Sequence, residues 1–154
     1  MLEIKKYGEP ILRKKTQLVG EVDDEIRKLV SFLVQAMYQN KGAGLAANQI
    51  GLDLNMAVID TGNGVKVLIN PKIISSSGEI TDEEGCLSLP GIFFKIKRPE
   101  NIEVEALDKF GKIQKIKAQR LEARAICHEV DHLNGKLIID RIGFWQRLRY
   151  KLGL

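Results

Sequence analysis

The chain has 154 residues, of which 44% are apolar and 29% charged, and its net charge is +4. This length and balance predict one globular domain with a hydrophobic core over residues 1–154. No apolar run reaches the ~18 residues of a membrane span, two cysteines are too few for a disulfide framework, and the first residues carry no leader pattern, so we expect a cytoplasmic protein.

The first predicted element is an amphipathic helix over residues 24–40. Its apolar residues recur at helical spacing, with Asp23 and Asp24 as N-terminal caps and Lys41-Gly42 as its end. A tight segment of small residues follows at 42–49. Short strands are then expected over residues 56–60, 65–70 and 73–75, the last two separated by Pro71.

The second half of the chain is predicted to hold a hairpin and two helices. Alternation over residues 102–106, a turn at 108–111 and a strand at 112–117 indicate the hairpin. A helix from Leu121 to Leu133, a short strand over residues 137–139 and a final amphipathic helix follow. Because this order lacks regular βαβ alternation, we predict an α+β fold.

Both histidines of the chain lie in the run His128-Glu129-Val130-Asp131-His132, inside the second predicted helix. Residues four apart share one helix face, so the two imidazoles can bind one metal ion. Glu129 then lies where a general base would act. The pattern indicates a metalloenzyme, and the alternative is two histidines with ordinary hydrogen bonds on a helix surface.

A catalytic metal with two histidines needs a third protein ligand, and the candidates are Cys86, Cys127 and any acid. Cys127 is adjacent to His128, so on a helix it points about 100° away around the axis. Its simpler interpretation is a small buried residue. Cys86 lies between turn-forming residues, where a loop can present a thiolate, and this context favours it.

Three segments together resemble the signature set of the peptide deformylases. They are Gly-x-Gly-Leu-Ala-Ala-x-Gln at Gly42–Gln49, Glu-Gly-Cys-Leu-Ser at Glu84–Ser88, and His-Glu-x-Asp-His followed by Leu-Asn-Gly at His128–Gly135. They occur in the family's order, and the resemblance covers essentially the whole chain. It implies short mixed or antiparallel sheets around a central helix carrying the histidine motif, with an N-terminal and a C-terminal helix.

The resemblance also implies a hydrolase that removes the formyl group from N-formylmethionyl nascent peptides and releases formate. Cys86, His128 and His132 would bind one divalent metal ion, Fe(II) first of all, although Zn, Ni or Co suit the same ligands. Glu129 would deprotonate the water at the open metal position and pass the proton to the leaving amine.

Further roles follow from the same resemblance. The Gln49 side-chain amide and the Leu87 backbone N–H would stabilise the oxyanion. The substrate backbone would approach the glycine at position 44 as an added strand. Leu121, Ala125 and the stem of Arg124 would form the methionine pocket. The implied substrate-binding residues are Gly44, Leu45, Leu121, Arg124 and Ala125.

Two positions depart from the family's pattern. Cys127 stands where Gln is usual, and Asn48 stands where Pro or Thr is common. Neither change touches a reacting group, although a second thiol near the metal would make the site more sensitive to oxidation.

Two rival functions remain at this point. A zinc endopeptidase would need a third ligand downstream of His132, where no histidine follows. A closed, metal-stabilised binding module would need a fourth protein ligand, for which Cys127 is the candidate.

The C-terminal end carries cations without any acid. Residues 141–154 contain Arg141, Arg147, Arg149 and Lys151. This end is either a solvated face or a footprint for an anionic partner. The phosphate-rich surface of the ribosome is the partner that we expect, rather than a membrane or DNA.

Overall fold

Two antiparallel sheets organise residues 3–153, which are the residues that the computed structural model describes. The larger sheet has the strand order β1-β2-β3-β6-β7 and the smaller sheet pairs β4 with β5. The strands are β1 (Gly44–Ala46), β2 (Met56–Ile59), β3 (Lys66–Ser77), β4 (Ile80–Cys86), β5 (Leu89–Arg98), β6 (Asn101–Leu107) and β7 (Ile113–Gln119). The helices are α1 (Asp24–Gln39), α2 (Arg120–Leu133) and α3 (Phe144–Lys151). The predicted α+β class is confirmed.

Helix α1 begins where the sequence predicts. The Asp23 carboxylate accepts a hydrogen bond from the Ile26 N–H at 3.0 Å, and two acidic residues in the first turn complement the helix dipole. Lys41, two residues after the last residue of α1, takes a left-handed φ of 55°. The buried face of α1 comprises Val30, Leu33, Ala36 and Met37.

Strand β3 differs from the prediction of two strands divided at Pro71. It runs unbroken through the proline, with register shifts against β6 between Ile69 and Lys72 and again between Ile73 and Ser75. A proline has no N–H to donate, and a strand accepts it at such an irregularity. The predicted β6–β7 hairpin is confirmed, and its turn is closed by the Asp108 carboxylate, which accepts from two backbone N–H groups.

The prediction of a strand over residues 137–139 is wrong, because this segment forms a short 3-10 helix, Ile138–Asp140. The Asp140 carboxylate accepts a hydrogen bond from the Leu137 N–H at 2.8 Å, which closes the turn locally. The run is apolar because its side chains are buried in a cluster with Leu12, Leu89, Phe94 and Ile96. A short buried apolar run resembles a strand in the sequence.

Helix α2 lies at the centre of the fold. Its residues Ala123, Ile126 and Cys127 are buried in one cluster with side chains of β2, β3, β6 and β7. Leu133, at its end, packs with residues of β1 and β2. The helix therefore presents the histidine motif between the large sheet and the β4–β5 hairpin. In the described part of the chain, every helix is too short or too polar to cross a bilayer.

Candidate metal centre and active site

Three possible metal ligands converge where β4 meets α2. Cys86 is the last residue of β4, and His128 and His132 lie one turn apart on α2. The Cys86 Sγ lies 3.2 Å from the His132 Nε2, which lies 3.2 Å from the His128 Nε2. Among residues 3–153 this is the only such group, and its ligand atoms all lie within 4.8 Å of one another. One thiolate and two imidazoles in this arrangement can hold a transition-metal ion.

Cys86 lies at a strand end rather than in the loop that the sequence suggested. The β4–β5 pairing shifts register between Gly85 and Cys86, and such an irregularity re-aims the side chain that follows. The Phe93 ring packs over Gly85, where a Cβ would lie 2.6 Å from the ring and the ring would have to move.

Cys127 is the small buried residue that the sequence predicted. Its side chain packs in the apolar cluster beneath α2, and burial raises the pKa of its thiol to about 11. It does not belong to the ligand group. A closed site with Cys127 as the fourth ligand is therefore not formed in this structure.

The Nδ1 of His128, the ring nitrogen that does not face His132, is hydrogen-bonded to a carboxylate. Its Nδ1 lies 2.7 Å from the Glu84 Oε2, and Glu84 also accepts bonds from Arg98 and Arg124. Burial alone would raise the pKa of Glu84, but the hydrogen bonds from His128 and Arg98 lower it to about 2. An ionised Glu84 accepts a hydrogen bond from Nδ1–H, and in that tautomer of the neutral ring the His128 Nε2 keeps its lone pair for a metal.

Glu129 has the opposite environment from Glu84. It is 2% exposed, and its Oε1 is buried with no hydrogen-bond partner among the described residues. Burial raises its pKa to about 7. The carboxyl group lies against Gly44, where a Cβ would come within 3.0 Å of the Glu129 Oε2. A carboxyl group with such a pKa can take up and release a proton near neutral pH.

A cavity of about 610 Å³ opens in front of these residues. It brings together most of the residues predicted for the site, which are Gly44, Gln49, Cys86, Leu87, Leu121, Arg124, Ala125, His128 and Glu129. His132 is not among the residues that line the cavity, and it is only 1% exposed. Leu45 does not line the cavity, because its side chain is fully buried in the core cluster with α1.

The Gln49 amide is held in one orientation. Its Oε1 accepts from the Ala46 N–H at 3.0 Å, and its Nε2 donates to the Ser88 Oγ at 3.1 Å. The same Nε2 lies 3.8 Å from the Cys86 Sγ. The amide N–H₂ group is therefore directed toward the possible metal ligands.

Arg124 has a polar role besides lining the cavity. Its guanidinium is buried and donates to Glu84 and to the carbonyls of Ile80 and Ile96. Leu121 is 60% exposed at the rim of the cavity. Sequence reasoning assigned no role to Glu84, Arg98 or Asp131, although Glu84 and Asp131 lie inside the quoted motifs, because their pairing with Arg98 joins distant segments.

Two of the four C-terminal cations that the sequence offers for an anionic partner are bonded within the protein. Arg141 binds the Asp131 carboxylate with its Nη2 at 2.6 Å. The Arg147 Nε donates to the Ile139 carbonyl at 3.0 Å. Arg149 and Lys151 are exposed, and Arg141 is also exposed but its guanidinium is bonded to Asp131.

Comparison with known proteins gives one consistent answer. A family model described as polypeptide deformylase matches residues 1–147. The chain is 45% identical over 139 residues to a peptide deformylase of Caldanaerobacter subterraneus subsp. tengcongensis, covering 90% of this chain and 87% of the relative. Crystal structures of peptide deformylases from Legionella pneumophila and Thermus thermophilus give TM-scores of 0.93 and 0.95, at 38% and 35% identity, and each match covers 99% of this chain and 92% of theirs. The chain belongs to the peptide deformylase family, whose members are enzymes that remove the N-formyl group from nascent peptides.

Proposed function

We propose that Cys86, His128 and His132 hold one divalent metal ion with which this enzyme hydrolyses the formyl group of N-formylmethionyl peptides. The observation that carries the proposal is the convergence of the three ligand atoms within 4.8 Å, beside the buried Glu129. A bound ion would polarise the formyl carbonyl and acidify water. We propose Fe(II) as the native ion, and Zn, Ni and Co also suit one thiolate and two imidazoles.

Glu129 is proposed as the general base. Its carboxylate takes a proton from the attacking water and later donates that proton to the amine that leaves as the new N-terminus. Its contact with Gly44 supports this role, because Glu129 and Gly44 both line the cavity.

Gln49 and Leu87 are proposed to stabilise the oxyanion. The Gln49 Nε2 and the Leu87 backbone N–H would donate to the carbonyl oxygen as negative charge develops on it. The bond from Ala46 to the Gln49 Oε1 supports this role, since it prevents the amide from turning.

The peptide is proposed to bind along β1, which is an edge strand of the large sheet. Main-chain hydrogen bonds at Gly44 and Leu45 would extend the sheet by one strand. The Leu45 side chain would act only through the core that supports this edge. Leu121, Ala125 and the stem of Arg124, all at the cavity, would enclose the methionine side chain.

Formate release from formyl-Met-Ala-Ser, measured under anaerobic conditions with Fe(II) supplied, tests the proposal. We expect turnover that a chelator abolishes and that added Fe(II), Ni(II) or Co(II) restores. A zinc endopeptidase would instead cut internal peptide bonds. Hydrolysis of internal bonds without formate release would contradict the proposed reaction.

We further propose that the enzyme meets its substrate at the ribosome, in the cytoplasm. Exposed Arg149 and Lys151 on α3 support this, because cations on a short exposed helix attract phosphate. Arg141 and Arg147 are bonded within the protein and contribute less.

A further inference from the structure

Asp131 carries a pair of buried contacts that the proposed reaction does not use. It precedes the metal ligand His132 on α2, and its carboxylate is bound by two arginines. The Oδ2 accepts from the Arg98 Nη1 at 2.7 Å and from the Arg141 Nε at 2.9 Å. The Oδ1 accepts from the Arg141 Nη2 at 2.6 Å. Both oxygens of the Asp131 carboxylate are therefore bonded to arginine side chains.

Arg98 connects Asp131 to the metal site. It is the last residue of β5, and its side chain is 5% exposed. Its Nε and Nη2 donate to the two oxygens of Glu84, at 3.0 and 2.6 Å, while its Nη1 reaches Asp131. Because a guanidinium is a rigid plane, the two carboxylates fix its position jointly.

Glu84 completes the connection to a ligand. Its Oε2 accepts from the His128 Nδ1 at 2.7 Å. The charged groups therefore form one continuous series, Arg141–Asp131–Arg98–Glu84–His128, that runs from the segment after α2 to the metal site. Arg98, Glu84 and Asp131 are buried, and a buried charge that loses its partner carries a large desolvation penalty.

We propose that Asp131 is a positioning residue for the metal centre. Through Arg98 it holds Glu84 where Glu84 can bind His128, and through Arg141 it couples the segment that leads into α3 to the same ligand. The inference rests on the metal site proposed above. Partners of a metal-bound histidine fix its ring orientation and its tautomer, and their loss lowers metal affinity by about 10- to 100-fold.

Cobalt binding tests the inference with a readout besides activity. Anaerobic Co(II) affinity, measured by competition with a chelator, and the visible Co(II) spectrum are compared among the parent, Asp131→Asn and Arg141→Met. We expect Asp131→Asn to weaken Co(II) binding by about 10- to 100-fold and to change the Co(II) bands. Arg141→Met should act in the same direction and less strongly. Because Arg141 is about half-exposed, this variant keeps the test available if Asp131→Asn does not fold.

Arg13→Met is the matched control. The Arg13 side chain has almost the same exposure as that of Arg141, 42% against 40%, and it pairs with Asp140, the neighbour of Arg141. Its ion pair does not contact Glu84 or His128. The control should therefore keep both the Co(II) affinity and the Co(II) spectrum of the parent.

Two results overturn the inference while leaving the metal site standing. One is parental Co(II) affinity and spectrum in the folded variants, and the other is an equal loss in Arg13→Met, which would indicate a general effect of lost ion pairs. A parent that binds no Co(II) would overturn the proposed metal site, and the inference with it.

Discussion

Two buried glutamates in one site have different chemistry because their surroundings differ. Glu84 accepts hydrogen bonds from His128, Arg98 and Arg124, and those from His128 and Arg98 lower its pKa to about 2. Glu129 lacks any such donor at its Oε1 in the part of the chain described, and burial brings its pKa to about 7. Glu84 is consequently suited to hold a ligand as a permanent anion, and Glu129 is suited to carry a proton.

Glu129→Gln separates these two functions at the level of one residue. Glutamine keeps the shape of the side chain and cannot accept the proton, so deformylation should fall by about 10²–10⁴-fold or more. Metal content should stay at that of the parent, because Glu129 is not among the possible ligands. Formate release and metal analysis on the same sample check both statements. Near-native turnover with metal bound would remove Glu129 from the mechanism.

The two cysteines give a second test at this scale. Cys86→Ala should lower metal content far below one ion per chain, since it removes one of three ligand atoms. Cys127→Ala should leave metal content unchanged, because the buried Cys127 thiol lies outside the ligand group. Elemental analysis of both purified variants provides the measurement. If the two outcomes were exchanged, Cys127 would be the third ligand.

Between elements, the turn that ends α2 is packed directly on the N-terminal segment. Gly135 follows the helix with a φ of +74°, and a Cβ there would lie 2.5 Å from the Arg13 carbonyl oxygen. Thr16 adds two hydrogen bonds to the Leu133 carbonyl, one from its N–H and one from its hydroxyl. The segment before α1 therefore supports the end of the helix that carries both histidines.

Gly135→Ala should destabilise the protein more than a glycine substitution in open space. The left-handed φ costs about 1–2 kcal/mol for a residue with a Cβ, and the contact with the Arg13 backbone adds about 1–3 kcal/mol. Gly64→Ala is the control, because Gly64 has a φ of +88° and nothing within 4 Å of an added Cβ. Denaturant unfolding of the two variants should differ by the contact contribution. Equal losses of stability would show that the turn relaxes away from Arg13.

Elements with local signals were predictable from the sequence, and those set by distant partners were not. Asp23 caps α1, and the β6–β7 alternation marks the hairpin, because each signal lies within its own segment. The path of β3 through Pro71 depends on its pairing with β6, which the proline alone does not reveal. Contiguous motifs likewise supplied the possible metal ligands, whereas Arg98 contacts Asp131 from 33 residues away and gave no signal.

At the scale of the whole molecule, the proposed contact with the ribosome can be tested at the exposed end of the chain. Arg149→Glu combined with Lys151→Glu should weaken ribosome binding, because it replaces phosphate-attracting cations on α3 with anions. Lys15→Glu combined with Lys28→Glu is the control, since these exposed lysines lie elsewhere and the net charge changes equally. Turnover of short formyl peptides should persist in both variants, because all four positions lie outside the cavity.

Co-sedimentation with ribosomes at several salt concentrations checks the prediction, and binding by the parent should fall steeply as salt rises. Equal affinity of the α3 variant and the parent at low salt would show that this face is only solvated.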